Sequence, residues 1–260
     1  MISKKINVNF SVLIIISSFF LSIFISSCSS SKQGSDITTD DPERAYSIAK
    51  SRYDRKDYRE AVEDFSYIKQ RFPGTAISDR AQFYHGMSYQ MLGEYVLAAY
   101  EFEYLIRNYP ASPLVIEARY QLAMSYYYLS PDYRLDQTYT RYAISEFQTF
   151  IELYPTHKLA SQSESRIREL KNKLALKAFR SGEQYLALES YKSALFYFEH
   201  VLSDYFDTDF ADDALAAKIQ VLVNRGRYAE AKDEIKRFEE KFRTSSLRAR
   251  VDNLKRRIPA

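Results

Sequence analysis

The sequence predicts an all-α protein, an α-solenoid of about five helical hairpins with a long helix between the third and the fourth. Three observations predict it. Beyond residue 41 no window alternates like a half-buried strand, while apolar residues recur at spacings of three and four over long stretches, the period of a helix with one buried face. Five segments then repeat a single apolar pattern, and two of the intervals between them carry extra residues. Composition agrees: 46% apolar and 27% charged residues in 260 is a soluble balance that excludes a disordered chain and a polytopic membrane protein. One cysteine excludes a disulfide framework and cysteine-based metal clusters, and three scattered histidines offer no ligand pair, so no metal and no cofactor is expected. The formal charge of +3 falls to +1 without Lys4 and Lys5, which is no footprint for nucleic acid.

Taken in order, the first element is a targeting segment, residues 1–27. Lys4 and Lys5 precede the apolar stretch Phe10 to Ile25, which is broken by Ser11, Ser17, Ser18 and Ser22 and closes in small residues at Ile25-Ser26-Ser27-Cys28. The run is too short and too often punctuated to span a bilayer, which takes about 20 apolar residues. The sole cysteine of the chain stands at its end, and this arrangement resembles the bacterial lipobox. The resemblance implies acylation of Cys28, and several acyl chains at about 0.8 kcal/mol per CH₂ make such an anchor effectively permanent. By the same resemblance, Ser29 after it, in place of Asp, looks like an address for the outer membrane. Residues 28–41 are rich in Ser, Thr and Asp and read as a lipidated flexible tether, with the folded part starting near Pro42.

The repeated pattern is marked by Ala61, Ala98, Ala143, Ala194 and Ala231. Four residues beyond each stand Phe65, Phe102, Phe147, Phe198 and Ile235, and seven beyond stand Ile68, Leu105, Phe150, Val201 and Phe238, offsets that share one helical face. Eleven beyond come Phe72, Tyr109, Tyr154, Tyr205 and Phe242, followed in the first three units by Pro73, Pro110 and Pro155, where a helix cannot continue. Upstream of the first four alanines lies a small residue, Ala49, Gly86, Ala123 or Gly182, that lets two antiparallel helices approach. The fifth unit departs, with Ile219 in that place. The third unit carries eight extra residues around Ser130-Pro131-Asp132, whose turn chemistry marks an extended loop. Fourteen more precede the fourth unit, from about Lys158 to Arg180, and add close to four helical turns, about 21 Å. This long helix should protrude as a spine, separating units one to three (42–157) from units four and five (158–260). Its charges read as a solvated face or as a partner-docking surface made by Arg166, Arg168, Lys171 and Lys173.

The second unit, with Gly86-x-x-Tyr89, Gly93, Ala98-x-x-x-Phe102 and Pro110, is similar to the tetratricopeptide (TPR) hairpin. In that family the first helix of each hairpin lines a concave wall, and its registers applied to this chain give Tyr46, Tyr53, Phe83, Met87, Met91, Tyr120, Met124 and Tyr127 as the peptide-binding set. Tyr supplies a flat face with a polar tip and Met adapts to irregular apolar partners. Packing against the next helix is the competing use of the same residues. No catalytic constellation is visible: His85, His157 and His200 have no ligand at i+4, and the acidic pairs lie on charged helix faces.

Five such units behind a lipobox, with a long helix after the third, resemble the BamD family of outer-membrane β-barrel assembly lipoproteins. The specific stretches are Tyr154-Pro155-Thr156-His157 leading into Arg166 to Leu174, and Tyr191 through Asp207. The resemblance implies a lipid-anchored scaffold at the outer membrane, facing the periplasm, that receives unfolded outer-membrane proteins on its N-terminal units. Its C-terminal units would dock on the periplasmic POTRA portion of a BamA-like insertase. Phe206 stands where the family has proline, which weakens the match at the partner-facing end. The alternative from another functional class is a TPR lipoprotein that organises envelope or division complexes through protein contacts.

Overall fold

The structure is a computed structural model that describes residues 34–259; the segment 1–27 and Cys28 lie outside the described residues. Eleven helices and no strand occur among the described residues. They are α1 (Pro42–Asp54), α2 (Tyr58–Arg71), α3 (Ser78–Met91), α4 (Tyr95–Asn108), α5 (Val115–Leu129), α6 (Thr138–Leu153), α7 (Ala160–Ala187), α8 (Tyr191–Asp204), α9 (Ala211–Asn224), α10 (Tyr228–Lys241) and α11 (Arg248–Arg256). Helices α1 to α10 pack chiefly on their sequence neighbours, with first helices of adjacent hairpins also touching in the pairs α1–α3 and α3–α5, while α11 packs on both α9 and α10. Nearest-neighbour packing of this kind is the mark of a solenoid. The hairpins are α1–α2, α3–α4, α5–α6, α7–α8 and α9–α10, and α11 closes the C-terminal end by burying Val251 and Leu254.

The repeated positions are the core. All five marker alanines and the four phenylalanines after them are fully buried. A Cβ on Gly86 would meet the Phe102 ring at 2.9 Å and one on Gly182 would meet Phe198 at 2.5 Å, so in these two hairpins the ring lies directly on backbone. The fifth hairpin is regular once volumes are compared: Ile219 takes the small position and Ile235 replaces the ring, and both are buried in one cluster. Bulk has moved from one helix to the other, which keeps the core filled.

Two roles at the turns between hairpins were not read from the sequence. The aromatic residues Phe72, Tyr109, Tyr154, Tyr205 and Phe242 are the C-caps of α2, α4, α6, α8 and α10, each amide donating to the carbonyl four residues earlier. Three residues on, a side chain starts the next helix: Ser112 Oγ accepts from the Leu114 amide (3.1 Å) and Ser245 Oγ from Leu247 (3.1 Å). His157 Nδ1 takes the same role toward Leu159 (3.3 Å), which explains a histidine in that turn without any chemistry.

Two expectations change. The chain before Pro42 is no free tether over its last residues: Ile37 is buried in the core of the first hairpin, Ser35 Oγ donates to Asp64 Oδ1 (2.7 Å), and Asp40 pairs with Arg71 (2.9 Å). Nor does the long helix protrude. The first half of α7 buries Ala160, Ser163 and Leu170, with Ile167 and Leu170 packed in the cluster of the third hairpin. Its second half, from Ala175 to Gly182, supplies the first helix of the fourth hairpin. The fourteen added residues thus cap one hairpin before building the next. The inserted loop after α5 braces this joint: Lys173 Nζ donates to Ser130 Oγ (2.8 Å), and Lys177 Nζ donates to the carbonyls of Tyr133 (3.1 Å) and Leu135 (2.8 Å).

Candidate functional site

The first helices of hairpins one to three form a wall, and Tyr84 of α3 is its centre. Its ring lies 5.1 Å from Tyr53, 6.3 Å from Tyr46 and 6.1 Å from Phe65, centroid to centroid. Lys50 sits above it, with Nζ 4.7 Å from the centroid, and the Arg80 guanidinium covers Tyr46 at 4.6 Å. Arg80 also reaches back to Glu43 (2.6 Å) and Lys50 to Asp54 (2.5 Å). Charges over ring faces satisfy the quadrupole of a ring that is only half covered by protein. Burial, followed by the proximity of Tyr84, pushes the Tyr46 hydroxyl up to about 12, and burial followed by Tyr58 does the same for Tyr53. These phenols therefore stay protonated and can donate at any physiological pH. An open depression of about 460 Å³ runs along α1 between Glu43 and Arg55, with Tyr46 and Lys50 in its lining.

The eight predicted wall residues divide. Tyr46, Tyr53, Met87 and Tyr127 are half-buried on the wall, and Met91, at 49% exposure, ends α3. Phe83, Tyr120 and Met124 are corrections: they are 6%, 6% and 7% exposed and belong to the core. Phe83 packs on Phe102 (5.8 Å), and Tyr120 stands edge-on to Phe147 (6.0 Å) and Phe150 (5.7 Å) of its own hairpin. The cause is rotation: the fifth position of the hairpin turns toward the second helix in hairpins two and three, so the half-buried face begins one residue later, at Tyr84, which packs between the cores of the first two hairpins. Sequence reasoning missed Tyr84 because it lies one position outside the assumed register. Tyr127 closes the wall at α7, donating to Glu169 Oε1 (2.7 Å) while Arg166 covers its ring at 4.6 Å.

The predicted docking cations on α7 are largely engaged within the chain. Arg166 holds Tyr127 and Glu169, Lys171 pairs with Asp207 (3.0 Å), and Lys173 holds the inserted loop. Arg168 is exposed and makes no ion pair or hydrogen bond among the described residues. A different surface stands out in the C-terminal pair, a groove of about 820 Å³ between α8, α9 and α10. Tyr191, Leu195, Phe196 and Leu222 give it an apolar floor, and Phe196 is 66% exposed. Arg225, lying 4.7 Å over the Tyr191 ring, and Lys192 are cations on its rim.

The histidines hold structural places. His85 is buried beside Glu101 (3.2 Å) and Lys69 (3.0 Å), and Gln82 donates to the Glu101 carbonyl (2.8 Å), a polar set that ties α2 to α3 and α4. Burial, with the Lys69 charge, pushes the His85 imidazole down against the pull of Glu101. Burial alone would raise Glu101, but hydrogen bonds and charge from His85 and Lys69 outweigh it and hold the carboxyl below its usual range. His200 lies 3.1 Å from Asp204 on the surface of α8. No group of three or more His, Cys, Asp or Glu that could hold a metal ion occurs among the described residues, and no helix there is long and apolar enough to cross a membrane.

Residues 38–249 match the family model YfiO, described as an outer membrane lipoprotein. A curated relative, the outer membrane protein assembly factor BamD of Rickettsia prowazekii (strain Madrid E), is 27% identical over 212 residues, spanning 82% of this chain and 84% of the relative. Solved structures with likeness include a TPR repeats protein from Bacteroides fragilis, at 15% identity and a TM-score of 0.41 over 84% of this chain and 87% of that one. A thermophilic TPR protein of Thermus thermophilus gives 16% identity and a TM-score of 0.36 over 82% and 98%. The fold rests on the hairpin contacts described above and not on these superpositions.

Proposed function

Because the chain belongs to the YfiO family of outer membrane lipoproteins, we propose that it is an outer-membrane assembly factor, a lipid-anchored periplasmic scaffold for unfolded β-barrel precursors. The observation that carries this reading is the wall of Tyr46, Tyr53, Tyr84, Met87 and Tyr127, which pairs half-open ring faces with cations and protonated phenols. Such a surface accepts an extended chain in many registers: rings take apolar side chains, while hydroxyls and ammonium groups take main-chain carbonyls. Affinity for any one client is modest, since ordering an extended segment offsets much of the contact energy. The work is capture and hand-over without covalent chemistry, and it needs neither metal nor cofactor beyond the lipid on Cys28.

The C-terminal groove along Tyr191, Phe196 and Arg225 suits the second half of the role, docking on a BamA-type insertase. Its apolar floor and cationic rim would take a folded domain that presents an apolar side chain beside a carboxylate. The name of the Rickettsia relative supports the assembly reading.

The test is a pulldown with the mature chain. Replacing Lys50 and Tyr127 by Glu, both at wall positions with exposed edges, should weaken capture of urea-unfolded outer-membrane protein by about tenfold, near 1.4 kcal/mol, with the helical circular dichroism signal unchanged. Capture at wild-type strength contradicts the wall. Co-purification of envelope-organising proteins in place of an insertase would favour the rival scaffold role.

A further inference from the structure

The segment before α1 does more than lead into it. It runs along the first hairpin in reverse, with Asp40 against Arg71 at the end of α2 (2.9 Å) and Asp36 against Arg52 in the last turn of α1. Between them Ile37 is buried among the residues of the hairpin core. Ser35 ends the contact, donating to Asp64 (2.7 Å) while its oxygen accepts from the Ile37 amide (3.1 Å). Asp64 is completely buried and is also held by Arg52 (3.1 Å), so one arginine joins the segment, α1 and α2. These contacts cover part of the core of the first hairpin, the end of the stack that has no hairpin before it among the described residues.

We infer that residues 35–41 are a clip that shortens the lipid leash and holds the first hairpin at the lipid surface. The inference rests on the proposed acylation of Cys28. From Cys28 to Ser35 is seven residue steps, a reach of at most about 25 Å, whereas a tether free as far as Pro42 would reach about 50 Å. The partner is the bilayer surface itself, and the end apposed to it is the one that carries the wall of tyrosines. The C-terminal pair lies at the other end of the stack, beyond α7. Clients would then meet the Tyr46 and Tyr53 end of the wall on the hairpin nearest the membrane into which they are to be inserted.

The test uses the acylated full-length product in vesicles of phosphatidylethanolamine and phosphatidylglycerol containing a headgroup-labelled acceptor lipid. With Cys28 acylated, a cysteine introduced at the exposed Arg59 is the only free thiol and carries the donor dye. A clip variant, Asp36→Ala with Ile37→Asp and Asp40→Ala, alters the segment and leaves the hairpin sequence intact. Energy transfer from the Arg59→Cys label should fall by about half in the clip variant, as the reach doubles. It should also be higher than transfer from a label at Lys236→Cys in the fifth hairpin. Equal transfer with and without the clip, in protein that floats with the vesicles, overturns the clip. Protein that stays out of the floated fraction with a free thiol at Cys28 overturns the anchor reading, and the inference with it.

Discussion

Gly182 shows how much of this architecture is decided by single atoms. An added methyl there would lie 2.5 Å from the Phe198 ring, closer than any real contact, while Ala49 and Ala123 already place a methyl in the same register within the buried clusters of Phe65 and Phe147. The fourth hairpin is therefore packed more closely than the first and third. Gly182→Ala should destabilise the protein by about 1–3 kcal/mol through overpacking, seen as a Tm lower by several degrees, and Phe198→Ile in the same chain should recover part of the loss, as the Ile219 and Ile235 pair implies. A neutral Gly182→Ala would show that the ring can retreat. Residues of this kind are legible in the sequence because the small and the aromatic position recur together. The turn between paired helices is less legible. Its left-handed position is Gly93 and Gly226 in two hairpins but Lys56 (φ 69°) and Glu189 (φ 56°) in two others, so side chains that disfavour this backbone conceal the repeat.

At the scale of elements, α7 serves two hairpins with one helix. Length and charge pattern predicted a protruding spine, and the length was right; the placement was not, because the small and apolar residues Ala160, Ser163, Ile167 and Leu170 sit at spacings of three and four under a mostly charged surface. A fragment ending at Leu174 keeps the covering of the third hairpin, and one ending at His157 removes it, exposing the faces of Phe147 and Phe150. Residues 35–174 should therefore unfold cooperatively on heating. Residues 35–157 should melt broadly at lower temperature and bind a hydrophobic dye, since a solenoid end without a cap leaves core exposed. Identical melting of the two fragments would mean that the first half of α7 adds nothing to the third hairpin.

Across the whole molecule, stability should depend on pH through the joint between the first and second hairpins. Glu101 has a carboxyl held below its unfolded value, so the stability it adds is complete above the unfolded range near pH 4.5 and is lost as pH falls toward its folded value. His85, pushed below 6.5, acts in the same direction from a higher pH, because the native state resists its protonation. The Tm should be level above pH 7 and decline between pH 6.5 and about 2, and Glu101→Gln should flatten the lower part of that decline; parallel curves for the two proteins would remove Glu101 as a cause. The sequence displayed the repeats, the caps of proline and the aromatic richness of the wall. It could not display rotation of the first helices, which sent Phe83 and Tyr120 into the core and left Tyr84 half-buried on the wall, since one residue of phase separates the two environments.

The uninterrupted run of α7 also has a mechanical meaning. Its 28 residues make a rod about 42 Å long, free of proline and fixed midway by Lys173 and Lys177 to the loop of the third hairpin. A push on the C-terminal pair would therefore be carried along one continuous helix to the tyrosine-bearing end, tilting it as a lever tilts its far arm without loosening any hairpin.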